Sequence, residues 1–399
     1  MSASNTARSY GSVTKTFHWL TALLIFTAIP LGIISNQLPF ETGEQVARKA
    51  FLFSLHKTVG VTAFFVALAR ITWALGQKKP AGLHPERRAE SVLAELVHWL
   101  LYGSLVIVPL SGWIHHASTT GFAPIWWPFG QNLFFVPKSE ALASLTSGLH
   151  IVFERVLMLS IFLHVAGALK HHFIDKDDTL RRMLPGVTEA GTPHPSSKLA
   201  PLGGALVIWS AAIAIGSTLG LYQSHTTGIE RVALSEIESD WTVQSGTLGL
   251  TITQFGAQVS GSFEDWTADI TYAEQDGPGS HGSVRAVISI GSLTLGSVTG
   301  QALGPDFFDA STHPTAEFNA ELMYQADGYT AEGTLNIRGN EVPVVMPFDL
   351  LLEGDTAEMT GRLQLDRRFF HIGDNMADES SLAFSVIVSI ELAASRSAP

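Results

Sequence analysis

Five long apolar stretches occupy the first 225 residues of this 399-residue chain, and they constrain its fold more than any other feature. A helix needs roughly 20 mostly apolar residues to cross the hydrocarbon core of a membrane. The first stretch follows Arg8 and Lys15 as a signal peptide would. It is long, contains a histidine and lacks a small-residue cleavage site, so we interpret it as a retained span. The predicted spans are Phe17–Gln37, Phe51–Gly76, Val92–His116, Gly148–Phe173 and Leu199–Tyr222.

Charge divides the chain into two parts, and the absence of cysteine limits the cofactors that it can hold. From His225 onward there are 25 acidic residues, seven arginines and no lysine, whereas the preceding part holds 17 basic and 11 acidic residues. Cysteine is absent, which excludes iron–sulfur clusters, covalently attached haem, disulfides and thiol catalysis. The acidic balance and the lack of basic stripes indicate no nucleic-acid partner. An electron carrier here would be a non-covalent cofactor held by histidine or methionine.

Positive charge in short loops predicts the orientation, because cytoplasmic loops are enriched in lysine and arginine. The loops after the first and third spans hold only three basic residues between them. The segments after the second and fourth spans are much more basic, with Lys78, Lys79, Arg87, Arg88, Lys170, Lys176, Arg181, Arg182 and Lys198. We therefore expect a multi-pass membrane protein, surrounded by membrane lipid, with a cytoplasmic N-terminus and a C-terminal domain on the opposite side.

Ionisable residues inside membrane spans are costly and usually functional, and four of the histidines within the predicted spans are the main candidates. His150 and His164 are 14 residues apart, about 21 Å and nearly four helical turns, so their rings share one helix face near opposite membrane surfaces. Depth then predicts two pairs, His18 with His164 on the cytoplasmic side and His56 with His150 on the outer side. Because neutral imidazole binds haem iron axially, we predict two bis-histidine b haems.

Four further residues are candidate cofactor-binding residues, and no catalytic residue is assigned. His98 could replace His18 as a ligand or bond a haem propionate. Arg70, inside the second span, could pair with a propionate or extend to lipid phosphate. Trp126 and Trp127 either cover the outer haem and shape a quinone or donor site, or form an interfacial aromatic belt.

A set of motifs in residues 10–186 resembles the bacterial di-haem cytochrome b561 family. The four ligand positions of that family fall on the four paired histidines. Together with the loop charges, the resemblance implies a location in the bacterial inner membrane, with the C-terminal domain in the periplasm. Members are similar to a superoxide:ubiquinone oxidoreductase, and related b-type subunits serve dehydrogenases and hydrogenases. The matching residues are Phe17-His18-Trp19, Leu55-His56, Gly60, Arg70, His98, Tyr102, Pro109, Gly112, His150, His164, His171-His172-Phe173, Lys176-Asp177, Thr179-Leu180, Arg182-Met183 and Pro185.

The fifth stretch and the region after it follow different patterns. Residues 187–228 are interpreted as a linker and a fifth helix, which either packs on the core through its glycines or is a plain tether. From residue 229 to 396 the alternation has period two and predicts seven or eight antiparallel strands in a closed barrel with room for one ligand. The predicted strands are Thr247–Phe255, Ala257–Phe263, Ser283–Ile290, Tyr329–Ile337, Glu341–Leu352, Ala357–Leu365 and Ser381–Leu392. Inner-face candidates are Leu248, Leu250, Ile252, Phe263, Val284, Ile288, Leu335 and Ile337.

This C-terminal region, from Trp241 to Leu392, resembles the YceI-like family of lipocalin-like barrels. Members bind polyisoprenoid chains, which implies an isoprenoid or quinone tail as ligand. Many relatives have a histidine where this chain has Gln254. The basic run Arg367-Arg368 either holds a ligand headgroup or pairs with nearby carboxylates. The matching residues are Gly261-Ser262-Phe263, Pro305-Asp306-Phe307-Phe308-Asp309, His313-Pro314, Phe318, Gly333-Thr334-Leu335, Arg338-Gly339, Asp366-Arg367-Arg368-Phe369 and Gly373.

The sequence thus predicts an all-α four-helix transmembrane di-haem bundle in residues 1–186, one extra transmembrane helix within 187–228, and an all-β barrel in 229–396. The first functional hypothesis is single-electron transfer between a periplasmic donor, superoxide among the candidates, and membrane ubiquinone, with the barrel holding a quinone tail. The alternative is an electron-transfer subunit that docks a dehydrogenase or another redox protein partner, with the barrel as a lipid-binding module.

Overall fold

A computed structural model describes residues 2–40, 42–84, 86–119, 121, 123–189, 199–223, 231–234, 239–326 and 328–396. Contacts divide the chain into two compact units, a helical one and one built of strands. Most of the predicted linker Thr188–Lys198 lies outside the described residues, as does the predicted start of the barrel at Ile229.

The helical unit contains α1 (Ser12–Gln37), α2 (Gly43–Leu75), α3 (Arg88–Ser118), α4 (Glu140–Lys170) and α5 (Leu199–Thr218). All five are long and apolar enough to cross a membrane, which confirms the five predicted spans. The buried hydroxyls of Thr21, Ser35 and Ser160 donate to the carbonyl four residues earlier in their own helices. Such internal bonds satisfy polar groups that hydrocarbon cannot.

Helix α5 packs on α3 and α4, so the interpretation as a plain tether is wrong. The Trp209 ring lies against Gly103 of α3, where a Cβ atom would come within 2.2 Å of its Cζ2 atom. Gly204 approaches Leu96, and Ala205 is completely buried. Small residues at these points allow the helix backbones to come close, as the alternative interpretation expected.

The second unit is one curled antiparallel sheet of ten strands among the described residues. Its order is β3-β4-β6-β7-β8-β9-β10-β1-β2-β5. The strands are β1 (Trp241–Gln254), β2 (Ala257–Phe263), β3 (Trp266–Tyr272), β4 (Gly279–Ser289), β5 (Leu293–Thr294), β6 (Thr315–Gln325), β7 (Gly328–Ile337), β8 (Asn340–Glu353), β9 (Thr356–Asp366) and β10 (Leu382–Arg396). A short helix, α6 (Thr299–Ala302), follows β5.

Three details of the sheet correct the sequence-based expectation. The predicted seven or eight strands omitted β3, β6 and the two-residue β5. The expected hydrogen-bonded closure is absent from the described strands, because β3 and β5 are the two ends of the ladder. Side-chain packing fills the gap instead, since the Trp266 ring of β3 lies against Gly246 of β1.

Candidate cofactor sites and the barrel cavity

The first histidine pair joins α1 to α4. The ring centres of His18 and His164 are 6.1 Å apart, with the ring planes tilted by 54°. His98, on α3, lies nearer to His164, with its ring centre 5.3 Å away. The structure therefore brings three imidazoles together at this level of the bundle.

The second histidine pair joins α2 to α4, and its ring centres are 6.4 Å apart. The Nδ1 atom of His56 donates to the carbonyl of Ala28, and Nδ1 of His150 donates to the carbonyl of Val108, each at 2.8 Å. A neutral imidazole that donates from Nδ1 keeps a lone pair on Nε2. Both rings are therefore held in the tautomer that a metal requires, as a backbone carbonyl commonly does for ligating histidines.

Two glycines make room for the second pair. A Cβ atom on Gly32 would lie 2.8 Å from Cε1 of His56, and one on Gly112 would lie 2.9 Å from Nδ1 of His150. Any side chain at these positions would displace the ring that it faces. The Gly112 position is among those on which the resemblance rested, and the packing supplies its physical reason.

The donor geometry of both pairs fits a b haem. An imidazole nitrogen binds a metal at roughly 2 Å and lies about 1 Å from its ring centre, so two axial imidazoles on one iron place their ring centres about 6 Å apart. The separations of 6.1 and 6.4 Å match this distance, whereas the 5.3 Å between His98 and His164 is shorter. His18 and His164 would hold one haem, and His56 and His150 the other.

The other candidate residues, Arg70, Trp126 and Trp127, differ in their contacts. Arg70 places its guanidinium 5.4 Å from the ring centre of Tyr102, on α3. The backbone nitrogen of Trp126 donates to the Thr58 hydroxyl, two residues from His56. Trp127 is 89% exposed, so the structure does not bring it to either pair.

Sequence reasoning missed two features of the helical unit. Lys57, next to His56, is 8% exposed, and both residues line a small cavity together with His150. The sequence signal for Lys57 was a charge inside an apolar stretch. The second feature is Asp177, which accepts hydrogen bonds from the rings of both His84 and His171. Burial alone would raise the pKa of Asp177, but hydrogen bonds from Thr179 and His171 outweigh it and lower the pKa to about 2.

The strand unit encloses a cavity whose lining is almost entirely hydrophobic. The centre of a water-sized sphere can occupy about 170 Å³ of it. One water needs roughly 10–15 Å³ by that measure, so the space is ligand-sized. Of 29 lining side chains only Gln254, Gln301 and Arg367 are polar. Seven of the eight predicted inner-face residues line it, and Val284 packs in a neighbouring cluster instead.

Arg367 and Arg368 differ sharply in their surroundings. Arg367 is 3% exposed, and its five N–H groups donate to five backbone carbonyls, those of Ala383, Ile372, Gly373, Met376 and Leu382. A guanidinium has five N–H donors, so none is left for a ligand. Arg368 is exposed and pairs with Asp366. Arg368 therefore pairs with a nearby carboxylate, as one of the two predictions stated. Arg367 neither pairs with a carboxylate nor has a donor for a ligand headgroup, so both predictions are wrong for it.

Both parts of the chain match known protein families. Residues 9–186 match the family described as prokaryotic cytochrome b561, and residues 240–394 match the YceI-like domain. Cytochrome b561 homolog 2 of Escherichia coli strain K12 is 31% identical over 188 residues, which are 46% of this chain and 95% of that protein. The probable superoxide oxidase CybB of Yersinia pestis is 25% identical over 182 residues, 45% of this chain and 97% of that protein.

Solved structures are similar to part of the chain. The crystal structure of Burkholderia cenocepacia BcnA shares 27% identity and covers 37% of this chain and 95% of its own, with a TM-score of 0.35. A Campylobacter jejuni YCEI protein shares 16% identity and covers 44% of this chain and 96% of its own, with a TM-score of 0.31. The chain belongs to the prokaryotic cytochrome b561 family, as a membrane b-type cytochrome that also contains a YceI-like domain.

Proposed function

We propose that this protein moves single electrons across the bundle, from a periplasmic donor to membrane ubiquinone, through two b haems. The observation that supports this most directly is the pair of histidine couples with ring centres 6.1 and 6.4 Å apart. Haem b supplies reversible one-electron chemistry when it is bound. His18 with His164 would hold one haem, and His56 with His150 would hold the other.

The chain's own residues set the limits of this chemistry. Because two histidines would hold each haem, donor and acceptor would exchange electrons with the protein without binding to the iron. Arg70 and His98 flank the first pair and would hold a propionate. Trp126, fixed to Thr58 by a hydrogen bond, would shield the second pair from water.

We propose superoxide as the donor, because the similar Yersinia pestis protein is named a probable superoxide oxidase. Two superoxide anions would each lose one electron to become O2, and ubiquinone would take up both electrons and two protons to become ubiquinol. When the purified, oxidised protein is mixed with superoxide in a stopped-flow instrument, the haem absorbance should change to that of the reduced form. Added quinone should then reoxidise them. Absence of haem reduction by superoxide would exclude this donor.

The haem content gives a separate test. We expect two b haems for each chain, both six-coordinate and low-spin. A single haem, or a five-coordinate spectrum, would contradict the four-histidine assignment.

Orientation and domain limits belong to the same proposal. Loop charge supports a cytoplasmic N-terminus and a periplasmic barrel. The apolar stretches and the strand pattern support a bundle over residues 1–186, a linker and fifth helix over 187–228, and the barrel over 229–396.

We also propose that the barrel binds an isoprenoid or quinone tail. The supporting observation is the ligand-sized cavity in which 26 of 29 lining side chains are hydrophobic. Burial of apolar surface there would stabilise a lipid chain by about 25 cal/mol for each Å² removed from water. Organic extracts of the purified protein should contain a polyprenyl compound, and an extract free of such compounds would contradict the proposal.

A second candidate function is an electron-transfer subunit that receives electrons from a basic redox protein, such as a dehydrogenase subunit. The observation that favours it is the net charge of −18 from residue 225 onward, which would repel the superoxide anion and attract a cation. Ionic strength separates the two candidates. Haem reduction by a basic protein should slow as salt rises, whereas reduction by superoxide should stay constant or accelerate.

A further inference from the structure

Two glutamines stand out in the hydrophobic wall of the barrel cavity. Gln254, at the end of β1, is 3% exposed, and no hydrogen bond reaches its side-chain oxygen Oε1 among the described residues. Gln301, on α6, has a buried Nε2 atom that likewise lacks a described partner. A buried polar group without a partner is destabilising, so two of them facing one cavity require an explanation.

Both glutamines are placed toward the Arg367 end of the barrel. Gln254 pairs in register with Leu382, whose carbonyl accepts from Arg367. The segment after α6 reaches the same place, since Asp306 accepts a hydrogen bond from the backbone of Gly373. The remaining cavity wall is hydrophobic except for Arg367 itself. The polar atoms are therefore confined to one end of an apolar chamber.

We propose that Gln254 and Gln301 form a headgroup subsite, which selects isoprenoids that end in a neutral oxygen group, such as a prenol or a quinone. This inference rests on the proposed lipid-binding function of the barrel and specifies its ligand. A primary amide offers both an acceptor and a donor, so it complements a hydroxyl or a ring carbonyl. The lipid chain would fill the hydrophobic part of the cavity.

The same end of the cavity disfavours a diphosphate head. An anion buried in an apolar chamber needs a charged partner with free donors. Arg367 is the only charged residue that lines the cavity within the described part of the chain, and backbone carbonyls occupy all five of its N–H groups. Arg368 is exposed and paired with Asp366. Glutamine dipoles alone would leave the phosphate charge uncompensated.

The test compares three ligands with one tail and different ends: farnesol, farnesyl diphosphate and the hydrocarbon farnesene. Binding to the full-length protein in detergent is measured by displacement of radiolabelled farnesol. We expect wild-type protein to bind farnesol about tenfold more tightly than either other ligand, which corresponds to the partners gained by the buried amides. Gln254→Leu and Gln301→Leu, which nearly conserve volume, should each weaken farnesol binding several-fold and leave farnesene binding unchanged.

Gln258→Leu is the matched control, because Gln258 is exposed on the neighbouring strand β2 and should not affect any ligand. Retained farnesene binding shows that a variant is folded. If one of the two glutamine variants loses farnesene binding, the other variant alone tests the subsite. Equal farnesol-to-farnesene ratios in wild type and folded variants would overturn the subsite, as would a preference for the diphosphate. Failure of wild-type protein to bind any of the three would instead overturn the lipid-binding function of the barrel.

Discussion

Single residues hold the second histidine pair in its geometry. The carbonyls of Ala28 and Val108 each accept a hydrogen bond from an Nδ1 atom, and so fix which ring nitrogen faces the partner helix. Neither ring of the first pair, His18 or His164, donates an equivalent bond to a described backbone carbonyl. If each pair holds a haem as proposed, the two haems should respond differently to substitution, because a backbone carbonyl fixes the tautomer of each ring only in the second pair.

Substitution of one of the four paired histidines should separate the two proposed haem sites. His150→Ala removes one ring of the second pair, which lies on the same helix as His164 but 14 residues away. We expect the purified variant to retain one b haem, held by His18 and His164 and still reducible by dithionite. Pyridine haemochrome analysis against protein concentration measures the loss.

The matched control for this variant is His172→Ala, which removes an imidazole that lies beyond α4 and belongs to neither pair. It should retain both haems. Loss of both haems in His150→Ala, with both kept in the control, would show that the pairs do not bind independently.

A tyrosine in the barrel provides a pH-dependent test at the same scale. Burial raises the pKa of Tyr272 above its ordinary value, and the Tyr329 hydroxyl, 3.1 Å away, adds to the rise. Neutral Tyr272 therefore contributes stability that is complete below the ordinary pKa of about 10 and declines as pH rises toward the folded value. At about pH 11, folded wild type and Tyr272→Phe should show equal ultraviolet phenolate absorbance.

The unfolded proteins provide the internal control for that measurement. In guanidinium chloride at the same pH the variant should absorb less, by one of the six tyrosines. A deficit of one phenolate already present in the folded variant would mean that Tyr272 ionises normally in the barrel.

Elements differed in how well the sequence predicted them. Long apolar runs predicted all five helices, because only a helix satisfies its backbone in hydrocarbon. Strand β6 was missed although it alternates, since two of its buried positions are Ala316 and Ala320, which give a weak hydrophobic signal. Strand β3 has only intermediate burial at most positions and lies at the end of the ladder. The packing of α5 depended on Gly103, a residue with no side chain to signal it.

Helix α5 should be sensitive to a single added methyl group. Gly103→Ala would place a Cβ atom 2.2 Å from Cζ2 of Trp209, and such overpacking costs about 1–3 kcal/mol. We expect detergent-solubilised Gly103→Ala to lose its haem absorbance at a temperature lower by several degrees. In a Trp209→Ala background the same Gly103→Ala change should lower the transition temperature by less, because the colliding ring is removed.

A glycine on α5 itself supplies the comparison. A Cβ atom on Gly203 would have no described neighbour within 4 Å, so Gly203→Ala should leave the transition temperature nearly unchanged. Equal transition temperatures for the two alanine variants would contradict the close approach of α3 and α5.

The whole molecule joins a basic part with five apolar helices to an acidic part without lysine. This asymmetry could be predicted from the sequence, because the charge of a segment does not depend on which residues are in contact. The paired histidines were predictable for a similar reason, since helical rise converts sequence spacing into depth. The unpartnered glutamines of the cavity were not. Whether a buried amide finds a partner depends on side chains from distant strands, and only the folded barrel brings those together.

Orientation of the whole molecule can be measured directly because the chain has no cysteine. Asp276→Cys introduces a thiol at an exposed position of the barrel, and Lys78→Cys introduces one at an exposed position between α2 and α3. In intact spheroplasts a membrane-impermeant maleimide should label Asp276→Cys fully. Lys78→Cys should react only after the membrane is permeabilised, because loop charge predicts a cytoplasmic location for that segment. The cysteine-free parent should remain unlabelled in both conditions. The reverse pattern would invert the bundle, move the His56 and His150 pair to the cytoplasmic side, and remove the basis for a periplasmic electron donor.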